Sequence, residues 1–339
     1  MSNTLIIYSI ISFILFFLCA KISYKLNFVD IPNKRKIHSK ATAYTGGIII
    51  SVILLIALQI FDLYSYVNKS LILIFSISFL ISLVGLIDDK YHLNAGGKLS
   101  LQIIPIFYLV IFENLALYHI GDYDYFNIRL GAFVIPFTII CVLFLINAFN
   151  YFDGMDGTLS LNSISVLIIL YNLISDQNFK LFLIILIIPI TIFLCFNFSL
   201  FRLPKLFLGD NGSLLFGFLI SFILIYLANQ NLIHPILLAW SIVIFVYEFL
   251  SINIIRFKNN QDPFKAGQDH LHHILFKKTN STLFTNLFMI LLNIILFTAG
   301  YFSLLLINAL ASLFLFILLF FIFLIIRNKY SKTVKIKIN

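Results

Sequence analysis

Long apolar runs separated by short polar stretches fill this chain from end to end, and their length predicts membrane-crossing helices. A bilayer-spanning helix needs roughly 20 mainly apolar residues. Eleven runs approach that length: 4–20, 45–61, 70–87, 99–112, 131–147, 158–174, 180–197, 212–228, 234–254, 283–301 and 303–326. The fourth is short, and only Asn308 interrupts the long apolar stretch that holds the last two. The sixth opens with Ser160, Asn162 and Ser163, as expected of a helix that lines a wet cavity. The pattern predicts an all-α, polytopic transmembrane helix bundle, with residues 1–326 forming one membrane domain and 327–339 a basic tail.

Composition leaves room for little else. Of 339 residues, 61% are hydrophobic and only 11% charged, against about 25% charged in a typical soluble domain. The first run, Leu5–Ala20, has neither a basic region ahead of it nor a small-residue cleavage site, so it reads as a retained helix and not a signal peptide. Cys19, Cys141 and Cys195 all lie in apolar runs without metal-ligand spacing, which makes them packing residues.

The net charge of +9 is explained by topology and not by nucleic acid. With eleven spans, twenty of the 23 lysines and arginines fall on one side, leaving only Lys69, Arg129 and Lys180 on the other. Basic loops stay in the cytoplasm. The expected topology therefore has the N-terminus outside and the C-terminus in the cytoplasm. The basic face would also attract anionic lipid.

The acidic residues follow the same division. Asp88 and Asp89, Asp153 and Asp156, and Asp210 fall at the cytoplasmic ends of expected spans, in three loops far apart in the chain. Taken singly, each could be an ordinary polar residue ending a helix. Together they carry a cost, because two carboxylates about 4 Å apart repel by roughly 4 kcal/mol at an effective dielectric of 20. A divalent cation, a cationic partner or raised pKa values must offset that. Oxygen ligands without cysteine suit Mg²⁺ or Mn²⁺ better than zinc.

Three segments sharpen the chemistry. From Asn147 to Gly157, Asn147, Asn150, Asp153 and Asp156 recur every three residues and could form one polar stripe at a helix end. The glycines allow the backbone to turn and approach a ligand. Gly209-Asp210-Asn211-Gly212-Ser213 opens the eighth run, where free N–H groups and the helix dipole favour an anion or a metal-bound phosphate; a plain helix cap is the simpler alternative. His270-Leu271-His272-His273 lies in the loop 255–282. No cysteine, and no further loop histidine except His38 and His92, would complete a zinc site. With Lys98 and Arg256, these histidines could instead neutralise a diphosphate.

In this order the segments resemble the polyprenyl-phosphate N-acetylhexosamine-1-phosphate transferases, glycosyltransferase family 4, and particularly the bacterial undecaprenyl-phosphate GlcNAc-1-phosphate transferases. The resemblance runs from about residue 29 to 276. It includes Val29-Asp30-Ile31-Pro32-Asn33-Lys34-Arg35-Lys36-Ile37-His38, Gly46-Gly47, Asp88-Asp89 with Leu93, Lys98 and Gln102, then Asn147–Gly157, Gly209–Ser213 and the histidines.

The resemblance implies transfer of a sugar phosphate from a UDP-N-acetylhexosamine to undecaprenyl phosphate in the bacterial cytoplasmic membrane, with release of UMP. It further implies a Mg²⁺ cofactor (Mn²⁺ as the substitute), held by Asp210 and in a variant reading also by Asp153. Asp88 or Asp89 would engage the lipid phosphate, and Asp153 and Asp156 would serve the metal or nucleotide side. Lys98 belongs to the same catalytic group. Asn147, Asn150, His38, Arg256, His270, His272 and His273 would bind substrate. The glycan supplied, such as lipopolysaccharide or another cell-envelope polymer, and assembly as a homodimer are left open.

Three departures accompany the resemblance. Gly267 and Gln268 stand where an acid and a base are usual, the stretch 197–210 carries extra residues, and Glu248 replaces an aspartate within the ninth run. Glu248 is therefore either functional or paired with Arg256 or another nearby cation. The competing readings are a phospho-MurNAc-pentapeptide transferase, whose histidines are consecutive, an inactive relative, and a transporter. A transporter would place its charges at the bilayer midplane and show internal repeats.

Overall fold

The computed structural model describes residues 2–32, 40–262, 267 and 269–336. In chain order the elements are α1 (Ser2–Lys25), β1 (Val29–Asp30), β2 (Thr42–Ala43), α2 (Gly46–Ile60), α3 (Leu63–Tyr66), α4 (Lys69–Tyr91) and α5 (Ala95–Phe107, prolonged by a π-helical turn Tyr108–Phe112). Then come β3 (His119–Asp122), β4 (Asn127–Arg129), α6 (Val134–Phe152), α7 (Thr158–Leu173), α8 (Gln177–Asn197) and α9 (Asp210–Asn229). The chain closes with α10 (Pro235–Ser241), α11 (Val243–Lys258), α12 (Leu271–Thr279), α13 (Thr282–Leu306) and α14 (Ala309–Ile336).

Among the described residues, eight helices are long and apolar enough to cross a membrane, or nine if the bent pair α10–α11 is one span. The protein is thus a helical polytopic membrane protein. The other two expected spans, 45–61 and 158–174, are the shorter apolar helices α2 and α7. At a rise of 1.5 Å per residue, α2 extends only about 23 Å, less than the roughly 30 Å hydrocarbon layer. Two small antiparallel pairs, β1–β2 and β3–β4, interrupt the helical pattern.

The chain divides into two compact units. The first contains residues 1–115 and 174–223. There α2 packs against α1, α4 and α8, and α4 against α5. Polar side chains stitch these apolar helices at chosen points: the Tyr8 hydroxyl donates to the Ile185 carbonyl at 3.0 Å, and Ser51 and Ser82 share a bond of 2.8 Å. Phe75 stacks on Phe182 with ring centroids 4.3 Å apart.

The second unit contains residues 116–173 and 224–339 and is organised around α13, which packs against α7, α10, α11, α12 and α14. Helices α10 and α11 bend by 73° at Ile242. The Asn293 side chain of α13 occupies this break, donating to the Ser241 carbonyl at 3.2 Å and accepting from the Ile244 N–H at 3.4 Å. A backbone group left unpaired in lipid costs several kcal/mol, so the asparagine makes the bend tolerable.

Ser160, Asn162 and Ser163 do not line a wet cavity. All three are buried; Ser163 donates to the Leu159 carbonyl and the Asn162 amide to the Thr158 carbonyl. Nearby, Thr158 bonds Asn286 at 2.7 Å and Asn293 bonds Ser165 at 3.3 Å. The polar face of α7 is a packing surface, where hydrogen bonds join helices.

The boundary between the last two spans falls at Ile307–Asn308. Asn308 itself accepts from the Ala311 N–H at 2.8 Å and caps α14. Helix α14 runs on to Ile336, past the expected start of the basic tail.

Candidate active site

In the first unit, the acidic residues gather where α4 ends, α5 begins and α9 begins. Three glycines permit the approach. A Cβ on Gly85 would lie 2.5 Å from the Asn211 backbone nitrogen, and one on Gly46 would lie 2.7 Å from the Phe207 carbonyl oxygen. A Cβ on Gly47 would collide with the Gly212 backbone. The Gly46 and Gly47 N–H groups each donate at 3.0 Å, to the carbonyls of Phe207 and Leu208. The strand preceding α2 is thereby laid along the segment that enters α9.

Asn211 locks this junction. Its side-chain oxygen accepts from the Ile48 N–H at 2.8 Å, while its amide donates to the Tyr44 carbonyl at 2.6 Å and to Asp89 at 2.7 Å. Asp89 also accepts from the backbone N–H groups of Asp210 (2.9 Å) and Asn211 (3.2 Å). The acceptor at the α9 N-terminus is thus the protein's own Asp89 side chain, and the expectation of free N–H groups there is corrected. The N–H groups of Gly212 and Ser213 are also bonded, both to the Gly209 carbonyl. Gly209 adopts φ +74°, a conformation that favours glycine, and a side chain there would meet Asp89 and Asn211.

Asp88 points elsewhere. One carboxylate oxygen accepts from the Leu93 N–H at 2.9 Å, fixing the turn from α4 to α5, and the other lies 2.7 Å from the Lys98 ammonium. Lys98, held in the first turn of α5 by the Asn94 cap, also reaches Asp210 at 2.5 Å. The ammonium therefore bridges two carboxylates that would otherwise repel. Asp210 is the more open of the two, its side chain 32% exposed against 9% for Asp88. Gln102, one turn beyond Lys98, is buried, and neither end of its amide finds a partner.

No group of three or more histidine, cysteine or acidic side chains is arranged to hold a metal among the described residues. The donor set still fits Mg²⁺, which takes one or two carboxylates and completes its shell with water and substrate phosphates. Asp210 and Asp88 are already turned toward one shared cation, the Lys98 ammonium.

In the second unit, α6 ends at Phe152, and Asp153 caps it. The stripe expected across Asn147, Asn150, Asp153 and Asp156 is therefore broken: only the asparagines lie on the helix, and both aspartates lie past its end. The Asn147 amide donates back to the Leu143 carbonyl at 2.7 Å, and the Asp156 carbonyl accepts from Asn286 at 2.9 Å. Gly154 permits a close approach in this turn. A Cβ there would strike the Nε2 atoms of His272 and His273, so the turn after α6 passes directly beneath the imidazoles.

The three rings form a cluster with centroids 4.3–6.0 Å apart. His272 is fully buried and neither of its ring nitrogens has a partner, nor has Nδ1 of His270. Burial disfavours the charged imidazolium. It lowers His270 to about 3 and His273 to about 4, and pushes His272 well down too, with the neighbouring rings adding to its shift. Near neutral pH these are uncharged rings that offer one N–H donor each.

Arg256 is buried and engaged with Asp269 by a bidentate pair, Nε at 2.9 Å and Nη2 at 2.7 Å. Burial works against the Asp269 carboxylate, but the Arg256 hydrogen bonds and charge outweigh it and hold it at about 2. Asp269 is a site residue that the sequence reading missed. Its signal was its place directly before His270, thirteen residues beyond Arg256. Glu248 pairs with Arg327 and not with Arg256. His38 and Gln268 lie outside the described residues.

Fold and side-chain chemistry define a helical polytopic membrane protein with an acid–lysine cluster in one unit and a neutral histidine cluster in the other. The profile described as Glycosyl transferase family 4 matches residues 71–228. Curated relatives agree. An undecaprenyl-phosphate alpha-N-acetylglucosaminyl 1-phosphate transferase of Yersinia pestis is 28% identical over 289 residues, covering 82% of this chain and 77% of its own. The protein of that name from Escherichia coli K12 is 28% identical, covering 77% and 72%. A probable undecaprenyl-phosphate N-acetylglucosaminyl 1-phosphate transferase of Bacillus subtilis 168 is 28% identical, covering 75% and 71%. The chain is thus similar to glycosyl transferase family 4 over a little under half of its length.

Proposed function

We propose that this protein transfers N-acetylhexosamine 1-phosphate from a UDP-sugar to undecaprenyl phosphate, giving the undecaprenyl-diphosphate sugar and UMP. The observation that carries the reading is the bridge Asp88–Lys98–Asp210, a cation shared by two carboxylates at a helix junction sealed by Asp89 and Asn211. The names of the relatives supply the lipid and the sugar class. In the reaction a lipid phosphate oxygen attacks the β-phosphorus of the UDP-sugar. The bond to the UMP oxygen breaks, and UMP departs with that electron pair. One phosphoanhydride replaces another, so no further energy source is required and the step runs backwards when UMP is supplied.

In this reading the residues divide the work. Asp89 holds the start of α9 and leaves Asp88 and Lys98 to meet phosphate. Lys98, released from one carboxylate, offers its charge to a phosphate oxygen. A lipid phosphate is already ionised near neutral pH and needs no strong base, so Asp88 acts by placing Lys98. Mg²⁺ would be held by Asp210, where it would neutralise diphosphate charge. The neutral histidines, with Asn150, Asp153 and Asp156, serve the donor.

The membrane arrangement belongs to the same reading: eleven crossings of a bacterial cytoplasmic membrane, the short helices α2 and α7 among them where the bilayer thins to match, the N-terminus outside, the C-terminus and the chemistry in the cytoplasm. The twenty-to-three division of basic residues supports it. Cysteines placed at Tyr125 and Thr279, both exposed, should label from opposite faces of sealed vesicles. Labelling from the same face would break the topology.

The function is tested by offering purified protein a panel of UDP-sugars with radiolabelled undecaprenyl phosphate. UDP-GlcNAc should give labelled lipid-diphosphate sugar, and no product from any sugar would overturn the reading.

A further inference from the structure

We propose that Arg327, in the last helix, is a positioning residue for the histidine segment 269–273. The clamp lies wholly within the second unit, and its consequence for substrate rests on the proposed function.

The histidine helix is short and lacks a cap of its own. The residue preceding α12, His270, makes no side-chain cap bond. Glu248 supplies one from α11, accepting the Leu271 N–H at 2.6 Å. The same carboxylate accepts from Arg327, Nε at 3.1 Å and Nη2 at 3.3 Å. Arg327 Nη2 also donates to the Asp269 carbonyl. Asp269 in turn holds Arg256 through its side chain. One guanidinium from α14 therefore grips both the carboxylate that caps the histidine helix and the main chain one residue ahead of it.

A stability role explains this poorly. Glu248 is fully buried and Arg327 is 2% exposed. Removing two such charges from water costs much of what their attraction returns, and apolar residues of the same volume often serve stability as well. What apolar residues cannot supply is direction. The fork of Arg327 makes three bonds whose geometry fixes where residues 269–271 lie, and with them the rings that follow. His272, without any hydrogen bond, depends on its backbone for orientation. Lysine, a single point of charge, would reach only part of the arrangement.

The test uses the full-length protein in nanodiscs, comparing wild type, Arg327→Lys and the charge-balanced double variant Arg327→Met/Glu248→Gln. The double variant leaves no buried unpaired charge and keeps an acceptor for the Leu271 N–H. Hydrogen–deuterium exchange over 269–276 should quicken in the double variant, with Arg327→Lys between it and wild type. The KM for the UDP-sugar should rise about tenfold or more, the scale of loss from a misplaced binding group, while the KM for lipid phosphate stays within experimental error. Unchanged exchange and unchanged donor KM in both variants would overturn the clamp. Faster exchange with no turnover even in wild type would support the clamp and overturn the transfer reading, so the two failures are distinct.

Discussion

Asp89 accepts hydrogen bonds from Asn211 through both its backbone N–H and its side-chain amide, at 3.2 and 2.7 Å. Two neighbouring aspartates therefore have separate tasks, Asp89 closing the entrance of α9 and Asp88 holding Lys98. A helix cap of this kind contributes about 0.5–2 kcal/mol. Asp89→Ala should lower thermal stability in detergent by that order, and Asp89→Asn by less, because one oxygen remains. A melting curve identical to wild type for Asp89→Ala would contradict the capping role.

The glycines at the same junction make a sharper prediction. Gly85→Ala should cost about 1–3 kcal/mol, the range for overpacking, since the added methyl meets the Asn211 backbone. Gly96→Ala is the control. It lies exposed in the first turn of α5, with 3.6 Å to its nearest neighbour, and alanine favours a helix by about 0.8–1.0 kcal/mol in helix interiors. Yield and melting temperature should fall for the first and hold or rise for the second.

The histidines set an acid limit. Their folded pKa values lie below the ordinary 6.5, at about 3 for His270 and about 4 for His273. The unfolded chain therefore binds protons that the folded one refuses. Stability is full above pH 6.5 and falls as pH drops toward 4, by about 1.4 kcal/mol per pH unit for each such histidine. Asp269, at about 2, adds a further loss only below its ordinary 3.8. Melting measured from pH 7.5 to 4.5 should show this slope, and His273→Gln should flatten it. A pH-independent melting temperature would count against neutral, buried rings.

Much of the architecture was legible in the sequence because apolar run length is a direct physical signal. Among the described residues, eight of the eleven runs coincide with helices long enough to cross, a ninth with the bent pair α10–α11, and the other two with shorter apolar helices. Asn308 looked like an interruption and is a cap, its side-chain oxygen accepting from the Ala311 N–H. Gly46-Gly47 carried a pattern but no partner. That it packs against Gly212 depends on contacts between residues far apart in the chain. The same limit hid Arg327, assigned to a tail on charge alone, whose partner Glu248 lies 79 residues earlier. Asp88 and Asp89 were not told apart for a different reason. Adjacent aspartates read as one acidic unit, and only the opposite directions of their side chains separate them.

The central claim rests on the Asp88–Lys98–Asp210 cluster, and UMP release tests it most directly. Purified wild-type protein given UDP-GlcNAc, Mg²⁺ and undecaprenyl phosphate should release UMP, and only when the lipid phosphate is present. Asp210→Asn, folded to the same melting temperature, should release none above background. Lipid-dependent UMP release by Asp210→Asn at the wild-type rate, or undiminished release by wild type in EDTA, would contradict the account.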